Sequence, residues 1–195
     1  MDTVMNPGLP YVAKIPLGGI QAGTSISITA KLPHGTEKPD SSDKTVLNVA
    51  LAFGFNVATN DPATSSDCIY SLRVDHPMAR RSEVHTSSYQ CSPSSVKNPV
   101  LVGHTFQVKI LAMASEFKSS IGTTPLEPVV NGNFFNACVP LEQIETIFID
   151  GRVLVDKIQF TGLAPVSEKV LRDPIPTSVK AELQLRRNVQ SMKNP

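Results

Sequence analysis

The sequence of 195 residues has no tryptophan, three cysteines and almost no charge excess. The cysteines are Cys68, Cys91 and Cys138, and an odd number without paired spacing argues against a disulfide framework. The 18 Lys and Arg residues are balanced by 17 Asp and Glu residues. A protein that neutralises many phosphates usually has a basic excess, so the composition argues against nucleic acid as a ligand. The same balance gives no attraction to an acidic membrane surface.

Long apolar runs are also missing, because no stretch approaches the roughly 18 apolar residues of a membrane-spanning helix. Residues 1–16 lack a basic start followed by an apolar run, so we expect no signal peptide and a cytoplasmic or nuclear location. The four histidines have no compact metal-ligand spacing to Cys or carboxylates. Neither a nucleophile elbow nor a phosphate-binding loop is present. We therefore predict no metal, no cofactor and no enzymatic activity.

Alternating apolar and polar residues are the main positive signal. This period of two, typical of half-buried strands, occurs at 24–32, 45–53 and 105–110. The 16 prolines favour short strands joined by turns over helices. Residues 33–44 and 118–128 have the Ser, Thr, Gly and Pro content of loops.

The segment 144–160 contains the clearest turn signal. Asp150-Gly151 lies between two alternating stretches, and this dipeptide tolerates the positive φ of tight hairpin turns. We therefore predict a hairpin here. Short strands at this spacing, without helical stretches between them, predict an all-β protein with an antiparallel β-sandwich.

Residues 54–98 are harder to interpret. A strand containing Ile69, Leu72 and Val74 fits the pattern. The pairs Arg80-Arg81 and Ser87-Ser88, and residues 93–95, have the composition of loops.

The chain divides into three parts. Residues 1–10 form a polar lead-in, 11–162 form the sandwich domain, and 163–195 form a longer C-terminal tail. The tail is either frayed or forms a short helix that docks on a partner, because Leu185, Val189 and Met192 have helical spacing.

The order of segments over residues 11–160 resembles the galectin family. The segments that carry the resemblance are Asn48-Val49-Ala50-Leu51, the 103–110 strand (GHTFQVKI), Val130-Asn131-Gly132, Pro140-Leu141-Glu142-Gln143-Ile144, and 147–153 (IFIDGRV). They are similar to the family's F-x-I-N-L, G-x-x-F-x-x-x-I, V-N-G, P-L-x-x-I and I-x-I-x-G-D-V patterns. The resemblance implies a galectin-like jelly roll of two sheets.

The resemblance fails where galectins bind β-galactosides, which they do with H-x-N-x-R, V-x-N and W-G-x-E-x-R motifs. The first motif falls on Ser71, Arg73 and Asp75, and the second falls on 84–86, with Thr86 at its last position. The third corresponds to 89–97, which contains no Glu or Arg, and the stacking Trp is absent. A site that holds its ligand by hydrogen bonds and by aromatic stacking loses most of its affinity when the side chains that make these contacts are missing. We therefore predict that β-galactoside binding is lost.

These observations predict a non-enzymatic interaction module that binds a protein or itself as a homodimer. The residues of the degenerate groove that we expect to contact a ligand are Ser71, Arg73, Asp75, Arg80, Thr86 and Tyr89. The loop at 75–81, with Met78, Arg80 and Arg81, is either a solvated loop or a protein contact. A lectin of altered specificity that uses the same face is the alternative. A nucleic-acid-associated module is a third and weaker hypothesis.

Overall fold

A computed structural model describes residues 2–15, 19–35, 44–53, 68–88, 91–130 and 141–163. Its strands, in chain order, are β1 (Asp2–Met5), β2 (Tyr11–Lys14), β3 (Ser25–Lys31), β4 (Thr45–Phe53), β5 (Cys68–Asp75), β6 (Glu83–Ser88), β7 (Cys91–Lys97), β8 (Thr105–Ala112), β9 (Glu116–Ile121), β10 (Thr124–Pro125), β11 (Val129–Val130), β12 (Ile144–Gly151) and β13 (Leu154–Thr161). A 3-10 turn, Leu141–Gln143, precedes β12. The described part of the chain is therefore almost entirely β.

The strands form two sheets. The seven-stranded sheet has the order β1-β13-β3-β8-β9-β10, with β11 also paired to β9. The six-stranded sheet has the order β2-β12-β4-β5-β6-β7. All strand pairs in both sheets are antiparallel. The prediction of an all-β antiparallel sandwich is confirmed.

The core lies between the two sheets and contains the inward side chains of the alternating strands. In β4 and β5 the cross-strand pairs Leu47–Val74, Val49–Leu72 and Leu51–Tyr70 are all fully buried. Strands β3, β8 and β13 contribute matching apolar side chains from the other sheet: Ile26, Ile28, Val108, Ile110, Ile158 and Phe160. The predicted strands at 24–32, 45–53 and 105–110 correspond to β3, β4 and β8, which are close to their predicted limits.

A polar contact between described residues joins the sheets through the core. The Tyr70 hydroxyl of β5 lies 2.6 Å from the Ser119 Oγ of β9. The Tyr70 ring also packs against Phe117, with ring centroids 5.1 Å apart. Burial raises the pKa of Tyr70, so its hydroxyl keeps its proton at any physiological pH.

The predicted hairpin at Asp150-Gly151 is wrong, because the two strands that flank this turn belong to different sheets. Strand β12 pairs with β2 and β4, whereas β13 pairs with β1 and β3. The turn therefore carries the chain across the sandwich. Gly151 has φ 143°, and an added Cβ would collide with the Val46 carbonyl oxygen. The positive φ predicted for this dipeptide is present at Gly151, but the dipeptide does not determine which strands pair with each other.

Loop composition was found at 118–128 and at two places within 54–98, but strands occur in all of them. Within 118–128, residues up to Ile121 belong to β9, and Ser119 occupies an inward position that obscures the apolar alternation. The Ser87-Ser88 pair lies in β6, and residues 93–95 lie in β7. The polar lead-in contains β1, which pairs with β13. Predicted features at 36–43, 54–67, 131–140 and 164–195, including the tail helix, lie outside the described residues.

Candidate functional site

The candidate site is the outer face of the six-stranded sheet, and strand alternation builds it. Because Leu72 and Val74 of β5 face the core, Ser71, Arg73 and Asp75 face outward. The sequence spacing thus brings these three predicted residues to one face. Arg73 is 47% exposed, whereas the Asp75 side chain is fully buried.

Strand β6 presents residues other than the one predicted. Thr86 pairs with Leu72 and is only 2% exposed, so it lies inside the sandwich and not on the outer face. His85 pairs with Arg73 and lies on the outer face instead. Thr86 was predicted as a ligand contact because the V-x-N motif was aligned with residues 84–86, which puts its Asn position on Thr86. The apolar Val84 was the signal that could have placed His85 outward, because alternate residues share a face.

Asp75 is the centre of an ion-pair cluster. Its Oδ2 accepts a hydrogen bond from Lys44 Nζ at 2.8 Å and one from the Glu83 backbone amide at 3.2 Å. His85 Nε2 lies 3.2 Å from the same oxygen. The Arg73 Nε lies 3.8 Å from Oδ1, which has no hydrogen-bond partner among the described residues. Oδ2 of the carboxylate is therefore occupied by neighbouring residues of the chain itself.

The protonation of Asp75 follows from two opposing effects. Burial of the carboxyl raises its pKa, but hydrogen bonds from Lys44, from His85 and from the Glu83 amide lower it and outweigh the burial. The net result is a pKa for Asp75 below its ordinary value of 3.8. Asp75 is therefore ionised at neutral pH and holds its cationic neighbours in place.

Next to this cluster, the serines of the two strands bind each other. The hydroxyl oxygens of Ser71 and Ser87 are 2.7 Å apart, and Ser71 is only 7% exposed. Asn48 of β4 pairs in register with Arg73. The buried Asn48 Oδ1 has no hydrogen-bond partner in the described part of the chain.

A strip of apolar residues continues the outer face on the side of β2. Phe148 of β12 pairs with Val12 on one side and with Ala50 on the other. Val12 and Phe148 are half-buried, whereas Ala50 is 1% exposed. The face therefore combines an apolar strip with a charged cluster.

The remaining predicted residues lie elsewhere. Arg80 is exposed in the loop between β5 and β6, with Arg81 beside it, so it lies at the end of the site and not on the strands. Tyr89 lies outside the described residues. Among the described residues, no group of three His, Cys, Asp or Glu side chains could hold a metal ion. No helix of the described chain is long and apolar enough to span a bilayer.

The fold is the same as that of solved galectins. No protein-family profile and no curated protein sequence matches the chain. A variant of human galectin-16 is 14% identical with a TM-score of 0.58, and the match covers 81% of this chain and 99% of that one. Caenorhabditis elegans galectin LEC-6 is 14% identical with a TM-score of 0.55, covering 82% and 95% respectively. Sheep galectin-11, solved with glycerol, is 12% identical with a TM-score of 0.53, covering 78% and 97%.

These similarities define the fold. The chain has the galectin fold, a sandwich of two antiparallel sheets. At 12–14% identity the likeness concerns the fold, and ligand recognition has to be argued from the side chains of the outer face.

Proposed function

We propose that this protein is a non-enzymatic binding module that contacts a protein, or a second copy of itself, and does not bind β-galactosides. The observation that carries the proposal is the mutual pairing of the outer-face side chains. Ser71 is bound to Ser87, and Asp75 is bound to Lys44 and His85. Of these residues, Ser71 and Asp75 are at positions that the galectin resemblance assigns to galactoside contacts.

The energetics of displacement support this proposal. A neutral sugar hydroxyl already bonded to water gains only about 1 kcal/mol net from a new hydrogen bond. Separating a buried carboxylate from its partner costs about 3–5 kcal/mol. A galactoside therefore cannot displace Lys44 or His85 from Asp75 at a net gain. The chain also has no Trp for stacking under the apolar face of the sugar.

The composition of the outer face is suited to a protein partner. Protein interfaces combine an apolar centre with a polar rim in which Arg is enriched. Here the half-buried Phe148 and Val12 lie on the same face as the exposed Arg73. Strands β1 and β2 are edge strands of their sheets, and pairing of such edges is a route to homodimers. The expected cytoplasmic or nuclear location stays a prediction.

A lectin of altered specificity is the second candidate, and Asn48 favours it. Its Oδ1 is an acceptor without a partner in the described chain, and Asn48 pairs in register with Arg73, whose guanidinium is rich in donors. A ligand that both donates and accepts hydrogen bonds would match this pair. Such a ligand must first move the side chains that cover Asn48, because its Oδ1 is buried.

The two candidates are separated by thermal unfolding of the full chain with a panel of neutral, sialylated and sulfated glycans. A lectin is stabilised as glycan exceeds its Kd, whereas a protein-binding module shows no shift with any glycan. Sedimentation over a range of concentrations tests self-association in parallel. A glycan-dependent rise in Tm that is lost in Arg73→Ala would overturn the proposal in favour of the lectin.

A further inference from the structure

Two loops at one end of the sandwich are fixed against each other by Asn98. Its Nδ2 donates to the Asp75 carbonyl at 2.5 Å and lies 3.0 Å from the Ser82 Oγ. Its backbone amide donates to the Ser82 carbonyl at 3.1 Å. The loop between β5 and β6 and the loop between β7 and β8 therefore form one surface of defined shape.

The loop between β5 and β6 is also anchored by the hydrogen bonds of His76. His76 is fully buried, and its backbone amide donates to the Lys44 carbonyl at 2.6 Å. Its carbonyl accepts from the Ala79 amide at 2.9 Å, and its Nδ1 accepts from the Met78 amide at 3.2 Å. This turn presents Met78 outward with little freedom to collapse, so a partner would find the loop already ordered.

Positive charge is concentrated around these loops. Five cationic side chains, Lys44, Arg73, Arg80, Arg81 and Lys97, lie on these loops or on the strand ends beside them, together with two carboxylates, Asp75 and Glu83. Lys44 links Asp75 to the loop between β5 and β6, because its Nζ contacts both the Asp75 carboxylate and the Arg81 carbonyl, the latter at 3.2 Å. These seven described residues carry three net positive charges, whereas the net charge of the whole chain is +1, so the other residues together are net negative.

Exposed apolar side chains accompany this charge. Met78 and Leu101 are each 60% exposed, and each lies on one of the two joined loops. Single exposed apolar residues are common on protein surfaces. These two differ because their loops are fixed and lie beside arginines, and Met and Arg are both enriched at protein interfaces.

We propose that the basic loop surface, defined as Lys44, Met78, Arg80, Arg81, Lys97 and Leu101, binds an acidic peptide segment of a partner protein that carries apolar side chains among its carboxylates. This inference rests on the proposed function and names its surface and partner chemistry. Charge complementarity selects an acidic partner. The exposed Met78 and Leu101 favour a peptide over a sulfated polysaccharide or a nucleic acid, because those polyanions have little apolar surface to bury there.

The test uses the full chain and a fluorescent synthetic peptide of glutamates with leucine at every third or fourth position. Fluorescence anisotropy should show saturable binding that weakens as salt is raised. Arg80→Ala combined with Arg81→Ala should weaken binding about tenfold or more and reduce its salt dependence. Met78→Ser should weaken binding without changing the salt dependence.

Two controls define specificity. Lys109→Ala combined with Lys118→Ala removes the same charge from exposed positions of β8 and β9 in the other sheet, and should leave binding unchanged. A peptide with serine in place of leucine should bind more weakly than the leucine peptide. Equal losses in both double variants would overturn the surface assignment.

Other results would also contradict the inference. Tighter binding of a sulfated polysaccharide, with no effect of Met78→Ser, would make the surface a polyanion site. If the peptide shows no saturable binding, the basic loop surface is not a peptide site. The proposed function would still stand, because the glycan panel and sedimentation test it separately.

Discussion

At the scale of single residues, the outer face is defined by side chains that bind one another. Asp75 is the clearest case, since a fully buried carboxylate is stable only with compensating partners. Lys44 supplies a full charge, and His85 and the Glu83 amide supply further hydrogen bonds. These residue types are common in any sequence, and whether they interact depends on the register of the strands that carry them.

Asp75→Asn tests the importance of this cluster. The amide cannot replace the ionic contact with Lys44, so we expect a loss of about 2 kcal/mol in the free energy of unfolding. Urea unfolding measures the change. Asp156→Asn, at an exposed position of β13, is the matched control and should change stability by less than about 0.5 kcal/mol. Equal effects of both variants would contradict a special role for Asp75.

The same cluster predicts a pH dependence. The pKa of Asp75 in the folded protein is below its ordinary value of 3.8, so its contribution is complete above pH 3.8 and is lost as the pH falls through the folded pKa. The stability gap between wild type and Asp75→Asn should therefore narrow as the pH falls below 3.8. A gap that persisted at strongly acid pH would show that the ionised carboxylate is not its cause.

Tyr70 and Ser119 predict a coupling across the core. Tyr70→Phe leaves the buried Ser119 hydroxyl without its 2.6 Å partner and should cost about 1–2 kcal/mol. The double variant with Ser119→Ala should cost less than the sum of the single changes, because it removes both hydroxyls together. Additive losses in urea unfolding would argue against the link between the sheets.

At the scale of elements, strands were predictable where their inward residues are apolar. Strands β3, β4 and β8 show clear alternation, and the structure has them near the predicted limits. Strands β6, β7 and β9 were missed because their inward positions include Thr86, Ser94 and Ser119, which break the pattern. Part of the candidate site was predictable in the same way, because Ser71, Arg73 and Asp75 are alternate residues of β5 and therefore lie on one face. Alternation with Val84 gives the face on which His85 lies, but its place opposite Arg73 depends on the register between β5 and β6.

The turn at Gly151 is the element on which the connection between the sheets depends. A side chain here would be strained by the φ of 143° and would collide with the Val46 carbonyl. We expect Gly151→Ala to destabilise the protein by about 3 kcal/mol or more. Gly122→Ala is the control, because Gly122 has φ 57° but open space around it. It should cost about 1 kcal/mol, and similar losses in the two variants would contradict the steric argument.

At the scale of the whole molecule, the galectin fold is combined with an outer face on which described polar side chains pair with one another. The sandwich aligns with solved galectins over about four-fifths of this chain at 12–14% identity. Such similarity is compatible with core residues that keep their apolar character while surface residues change freely. We therefore propose that binding depends on the outer face of the six-stranded sheet and on the loops at its end, where basic side chains lie together.

The most direct test of this account is a lactose titration of the full chain followed by amide NMR shifts, with maltose as the control disaccharide. We expect no saturable shifts up to high lactose concentration, because Ser71 and Asp75 are bound to their neighbours and no Trp is available. Saturable shifts that are specific to lactose and localised to β4, β5 and β6 would contradict the account, because they would show a working galactoside site on this face.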